Sequence, residues 1–251
     1  MPSIAASPAD TLTLTISRVP ALLMRKALVG SALLAEPPSE AVRVIEELLF
    51  RAPSADAAKD SLLAMAAWQI DLRDAETTLP LQRLRDAARE LESEVVAALF
   101  DDAAPHRSLS RHGRLREIGM PERIDFGFVR RVIDWPPTRQ RFLEAARLHH
   151  SPIMIARLLE QRWLTLGDAL LIAARRPTTA PIAFAAVRSE RWFRHTRYRE
   201  ALAMNPFTPT GVSLALLPTL PRPVIEHLAS AGDVHPMLAA TASGLLRLQR
   251  G

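Results

Sequence analysis

The sequence predicts an all-α fold, an N-terminal helical bundle followed by a short α-solenoid of paired helices. Apolar residues recur at three- and four-residue spacing almost everywhere, which is the period of a helix face and not of a strand. Glycine is scarce, at 9 of 251 residues, while Ala, Leu and Arg recur throughout, a balance that favours helix. Four of the 20 prolines introduce similar apolar segments at a nearly constant interval, and proline suits the first turn of a helix, where its missing N–H has no partner to lose.

Taken in order, Thr11 to Ile16 alternates polar and apolar residues as a strand does, but no partner strand is evident, so the stretch is assigned as the lead-in to a helix over 20–35. Ser39 can cap a helix through Ile45, Leu48 and Leu49 to Phe50, and Ser54 another through Leu62, Leu63, Met65, Ala66 and Ile70. A fourth helix starts at Pro80 and keeps Leu84, Ala87, Ala88, Leu91, Val95, Ala98 and Leu99 on one stripe. These four form a bundle over residues 1–100. Over 101–120 the apolar period fails in a polar, basic run that includes His106 and His112, which marks a linker or mobile loop and the domain boundary.

Residues 121–251 hold the repeat. Pro152, Pro181, Pro209 and Pro236 lie 29, 28 and 27 residues apart, and each opens an apolar segment. Three positions on stand Ile155, Phe184, Val212 and Ala239; six positions on stand Leu158, Val187, Ala215 and Ala242. A second apolar stretch lies between successive starts, at Ala169–Ala173, Ala201–Met204 and Val224–Ala229. Two short helices per period of about 28 residues is the pattern of an α-solenoid, in which stacking buries faces that no unit buries alone. Each proline is expected in a first helical turn, and Ile155, Leu158, Phe184, Val187, Val212 and Leu216 between stacked units.

The run from Tyr198 to Pro209, with Ala203, Asn205-Pro206 and Thr208-Pro209 at its end and Leu216-Leu217-Pro218 after it, resembles the V-R-x-x-(V/L)-A-x-N-P-x-(T/L)-P pattern of HEAT-like and leucine-rich-variant repeat proteins. It is also similar to bacterial helical-repeat proteins in which an Arg-Trp dipeptide, here Arg191-Trp192, precedes the turn. The resemblance covers residues 121–251 and departs from leucine-rich-variant repeats in its longer period. It implies helix pairs that bind a partner, and no catalytic residues.

Composition narrows the chemistry. With no cysteine, disulfides, zinc–thiolate sites and thiol nucleophiles are excluded. The seven histidines show no metal-binding spacing such as His-Glu-x-x-His; glycines are scattered singly, so no phosphate-cradling loop forms; and no Gly-x-Ser-x-Gly elbow occurs. No cofactor is expected. Charge is uneven: residues 1–100 hold 10 basic against 14 acidic groups, and residues 101–251 hold 22 against 13. A basic half suits an anionic partner such as nucleic acid, a membrane surface or an acidic protein face, including the protein's own N-terminal half.

No apolar run approaches the ~20 residues that span a bilayer, and a cytoplasmic protein is expected. Met24-Arg25-Lys26 before the apolar stretch Ala27 to Ala35 has the make-up of a secretory signal if read from Met24. Preceded by 23 residues, it is more simply an amphipathic first helix that closes before Pro37-Pro38.

One constellation is left, from Arg188 to Arg199. Arg188, Arg191, Trp192, Arg194, Arg197 and Arg199 interleave guanidinium groups with aromatics, as phosphate backbones and stacked bases require. The same residues could serve packing, with Trp192 and Tyr198 in the groove between repeats and the arginines in inter-repeat ion pairs with Glu190 and Glu200. The function expected is a non-enzymatic interaction or scaffold protein that grips a protein partner through its repeat surface. The alternative is a nucleic-acid-binding helical repeat, with a HEAT-like DNA glycosylase as a minor variant.

Overall fold

Helix dominates as the periodicity requires: in a computed structural model of the chain the described residues are 73% helical, with no strand among them. It describes residues 7–102 and 146–250, together with 140, 143 and 144. Contacts divide the chain into two compact units, Met1–His106 with Pro209–Gly251, and Arg107–Thr208. The last two proline-led segments therefore pack with the N-terminal helices. The expected linker over 101–120 lies, beyond Asp102, outside the described residues.

The first unit opens with α1 (Pro8–Ser17) and α2 (Leu22–Ala35). The strand-like alternation of Thr11 to Ile16 is helical, because local chemistry overrides the pattern. Ser7 and Asp10 form a reciprocal capping box that nucleates the helix, and Thr13 and Thr15 return their hydroxyls to the carbonyls of Asp10 and Thr11, at 2.9 and 2.8 Å. Leu12 and Ile16, four apart, are then buried, while Leu14 faces outward. Arg51 holds the Asp10 carboxyl below its ordinary pKa by a hydrogen bond, helped by the backbone of Ser7.

α3 (Pro38–Arg51) and α4 (Asp56–Asp74) follow, led by Pro37 and Ala55 and not by capping bonds from Ser39 or Ser54. α4 is the central element. α1, α2 and α3 pack on it, as do α12 (Thr210–Leu216) and the 3-10 turn Leu217–Thr219. It buries Leu62, Met65, Ala66, Trp68, Gln69 and Ile70, and every residue of α12 is buried. Three contacts need glycine: a Cβ on Gly30 would lie 2.5 Å from Trp68 Nε1, one on Gly211 would lie 2.7 Å from the Arg73 guanidinium carbon, and one on Gly244 would lie 2.9 Å from Val95 Cγ2. Arg73 is buried, donating to the Asp101 carbonyl at 3.1 Å with Asp102 at 3.4 Å. Burial lowers its pKa, and the two aspartates oppose that.

The single helix expected from Pro80 to Leu99 is two, α5 (Leu79–Glu90) and α6 (Glu94–Leu99). Between them Glu92 adopts a left-handed φ of 57° and the Ser93 N–H returns to Ala88 at 2.8 Å, a helix stop that no glycine or proline announces. Leu91 is consequently exposed. α13 (Arg222–Ser230) and α14 (Pro236–Leu248) form a hairpin whose second helix lies on α6.

The second unit contains α7 (Pro152–Leu159), α8 (Leu166–Ala173), α9 (Ala180–Val187), the single turn α10 (Glu190–Phe193) and α11 (Thr196–Ala203). Pro152, Pro181 and Pro236 begin helices as expected, and Pro209 sits one residue earlier, at the N-cap of α12. Ile155, Leu158, Val187, Val212 and Leu216 are buried. Phe184 is only half-buried, while Ile182, Ala183, Ala185, Ala186 and Val187 take the buried positions of α9.

Candidate functional site

Each helix end leaves carbonyls without intrahelical partners, and the second unit satisfies many of them with side chains from the following helix pair. α7 packs on α9 and α8 on α11. Where one pair ends and the next begins, Arg175 donates to the carbonyls of Arg147, Leu148 and His149 at 3.0, 2.9 and 2.7 Å. Asn205 does the same one pair later, its amide donating to Ala173 and Arg175 at 3.1 and 2.8 Å while its oxygen accepts the Phe207 N–H at 3.1 Å. Both side chains are buried. His149 lies beside them with its ring stacked on His150 at 4.8 Å. Burial, then His150 and Arg175, lower its pKa, and its Nδ1 accepts the Ser151 N–H at 3.0 Å, which fixes the neutral tautomer.

The turns within each pair lie at the other end of these helices, at residues 160–165 and 188–195, and here the arginine-rich run is found. Arg191 donates to the carbonyls of Gln161, Arg162 and Leu164 at 2.9, 3.4 and 3.1 Å, tying the second turn to the first. Its guanidinium lies 4.1 Å from the centroid of Trp192, a cation–π contact. Trp192 is buried, with its indole N–H on the Leu159 carbonyl at 2.8 Å. Arg199 is buried as well, on the carbonyls of Phe193 and Arg194 at 2.8 and 2.9 Å. The Tyr198 hydroxyl donates to Ala186 at 3.0 Å, and burial pushes its phenol far up in pKa.

The run is thus divided. Trp192 and Arg199 lie in the interior and Arg191 joins two turns, while Arg188, Arg194 and Arg197 are exposed. These contacts between successive helix pairs run from side-chain N–H groups to carbonyls, and Glu190, expected in an ion pair, meets Arg194 four residues on, at 2.7 Å. Carbonyl ends supply the negative partner that every helix C-terminus has to spare.

By holding the turns together, Arg191 also brings in Arg157 and Arg162, both exposed, which the sequence reading passed over. Residues 157–164 and 188–197 together hold six arginines against two glutamates. A signal for this was present: Arg162-Trp163 precedes Arg191-Trp192 by 29 residues, the interval between Pro152 and Pro181. Among the described residues, no group of three or more His, Asp or Glu could hold a metal ion, and no helix is long and apolar enough to cross a membrane. No protein-family model, curated protein or solved structure matches the chain.

Proposed function

We propose that the chain is a non-enzymatic binding protein whose second unit is a short two-layer repeat of HEAT-like helix pairs, and that the arginine edge of this unit holds an acidic protein partner. The pairing of α7 with α9 and of α8 with α11 supports the repeat, as do the side-chain-to-carbonyl bonds spanning 26 to 33 residues, close to the proline interval. The observation that carries the partner chemistry is the bonding of Arg191 to the preceding turn. It gathers Arg157, Arg162 and Arg197 on a fixed scaffold, and none of the three has a partner among the described residues. A rigid edge of exposed guanidinium groups matches carboxylates bidentately. The aromatics interleaved in the run, Trp192, Phe193 and Tyr198, are all buried and Trp163 on the first turn is half-buried, which favours a carboxylate partner over the stacked bases of single-stranded nucleic acid.

The test is fluorescence anisotropy of the full chain with a labelled oligoglutamate peptide and, separately, with a labelled oligonucleotide of equal length, each over a salt series. We expect the peptide to bind and Arg162→Glu with Arg197→Glu to weaken it on the order of tenfold, since each exposed pair contributes about 0.2–1 kcal/mol and reversal adds repulsion. The helical circular dichroism spectrum should not change. Unchanged peptide affinity in the double variant would sink the assignment. Binding of the oligonucleotide alone, falling steeply with salt, would replace it with the nucleic-acid reading.

A further inference from the structure

The first unit carries an apolar surface that its own packing leaves uncovered. α2 turns Leu22, Val29, Gly30 and Leu33 inward, with Gly30 against the Trp68 indole. Its opposite face is also apolar: Leu23, Met24 and Leu34 are 60%, 59% and 55% exposed, and Ala27, Leu28, Ser31 and Ala35 are exposed beside them. The helix has two cations, and both are drawn back onto α4, Arg25 to Asp60 at 2.7 Å and Lys26 to Asp71. The outward face is therefore uncharged along the whole helix, with no basic rim of the kind that anchors an amphipathic helix on anionic lipid.

We propose that this face seats a second copy of the chain, α2 against α2 in antiparallel order about a two-fold axis near Val29. Apart from Leu28 at the edge of the face, the exposed positions are self-complementary under that operation, as an isologous interface requires. Reflection about residue 29 exchanges 23 with 35, 24 with 34 and 27 with 31. Leu23 then meets Ala35 of the second copy, Met24 meets Leu34, and the two small residues Ala27 and Ser31 face each other at the crossing point, where helix axes approach most closely.

Charge follows the same symmetry. Arg18 lies just before the N-terminal end of α2 and Glu36 just after its C-terminal end; both are exposed and neither has a partner among the described residues. Antiparallel order sets each Arg18 towards Glu36 of the other copy and opposes the two helix dipoles, whereas parallel order would place like charges together. A contact limited to one helix per copy is at the small end of specific interfaces, so the association is weak and depends on concentration.

Sedimentation velocity of the full chain, up to on the order of 100 μM to cover weak interfaces of this size, tests the proposal. A monomer–dimer equilibrium is expected, weakened at least tenfold by Ser31→Glu at the crossing point and by Leu34→Arg at the rim, with unchanged helical circular dichroism. Because the chain has no cysteine, Ser31→Cys supplies a single thiol. A short bis-maleimide should then trap a covalent dimer, and the exposed Ser54→Cys should not. A chain that stays monomeric throughout, or dimers that both charge variants leave intact, would overturn the two-fold pairing. Co-sedimentation of a monomeric chain with phosphatidylcholine vesicles would likewise overturn it and assign the face to lipid.

Discussion

Asn205→Ala is the sharpest probe of how the second unit is held together. The Asn205 side chain is 2% exposed and makes three bonds to the backbone, donating to Ala173 and Arg175 and accepting from Phe207. Truncation leaves those three groups without their partner in a site that water reaches poorly. Each buried orphan costs about 1–3 kcal/mol, and partial relaxation lowers the sum, so a loss of about 3–5 kcal/mol is expected. Against a typical total of about 5–15 kcal/mol, that is enough to melt the second unit early.

Urea unfolding followed by tryptophan emission reads this out, because Trp163 and Trp192 lie in the second unit and Trp68 in the first. Asn205→Asp separates the two kinds of bond. It keeps the acceptor for Phe207 but turns an anionic oxygen towards two carbonyls, so at neutral pH it should cost at least as much as alanine and recover in part on acidification. A loss under about 1 kcal/mol in Asn205→Ala would refute the idea that this side chain seals one helix pair to the next.

Three further outcomes follow from the packing. Gly30→Ala gains about 1 kcal/mol of helix propensity, yet its methyl would sit 2.5 Å from Trp68 Nε1. Displacing a buried indole costs about 1–3 kcal/mol, so a net loss of stability with altered Trp68 emission is expected in thermal unfolding. His149 has a lowered pKa in the folded chain, so below about pH 6.5 the unfolded state binds more protons and stability falls as the pH drops through that value. His149→Gln should flatten this part of the profile, measured as the urea midpoint across pH 5 to 7.5. Phe184, half-buried, should lose about 1–2 kcal/mol on truncation to alanine by the same urea assay, below the ~3–5 kcal/mol of a fully buried phenylalanine.

The helices were legible wherever one short-range rule decided them. Prolines 152, 181 and 236 stand at helix starts because their chemistry suits no other place there, and the stripes of α3 and α4 are where periodicity puts them. Reading failed where a competing local bond prevailed. Alternation at Thr11 to Ile16 suggested extended chain, but the Ser7–Asp10 box made it helix. The stripe from Leu84 to Leu99 suggested one helix, but a left-handed Glu92 divided it. In the arginine-rich run the alternatives differed only in which way each side chain turns, and sequence spacing does not fix that for so short a segment.

By itself, then, the sequence determined the all-helical class, the absence of thiol chemistry and the interval near 28 residues, because composition and period act through neighbours a turn apart. Tertiary structure decided which helices are neighbours. The segments beginning at Pro209 and Pro236 carry the same signature as those at Pro152 and Pro181, yet α12 and α14 lie against α4 and α6. Every apolar stripe is compatible with every other, and the choice rests on close fits such as Gly211 over Arg73 and Gly244 against Val95. The placement of the arginines follows the same logic: a guanidinium turns inward where carbonyl ends come within its reach, as for Arg175, Arg191 and Arg199, and lies in solvent where they do not, as for Arg157, Arg162 and Arg197.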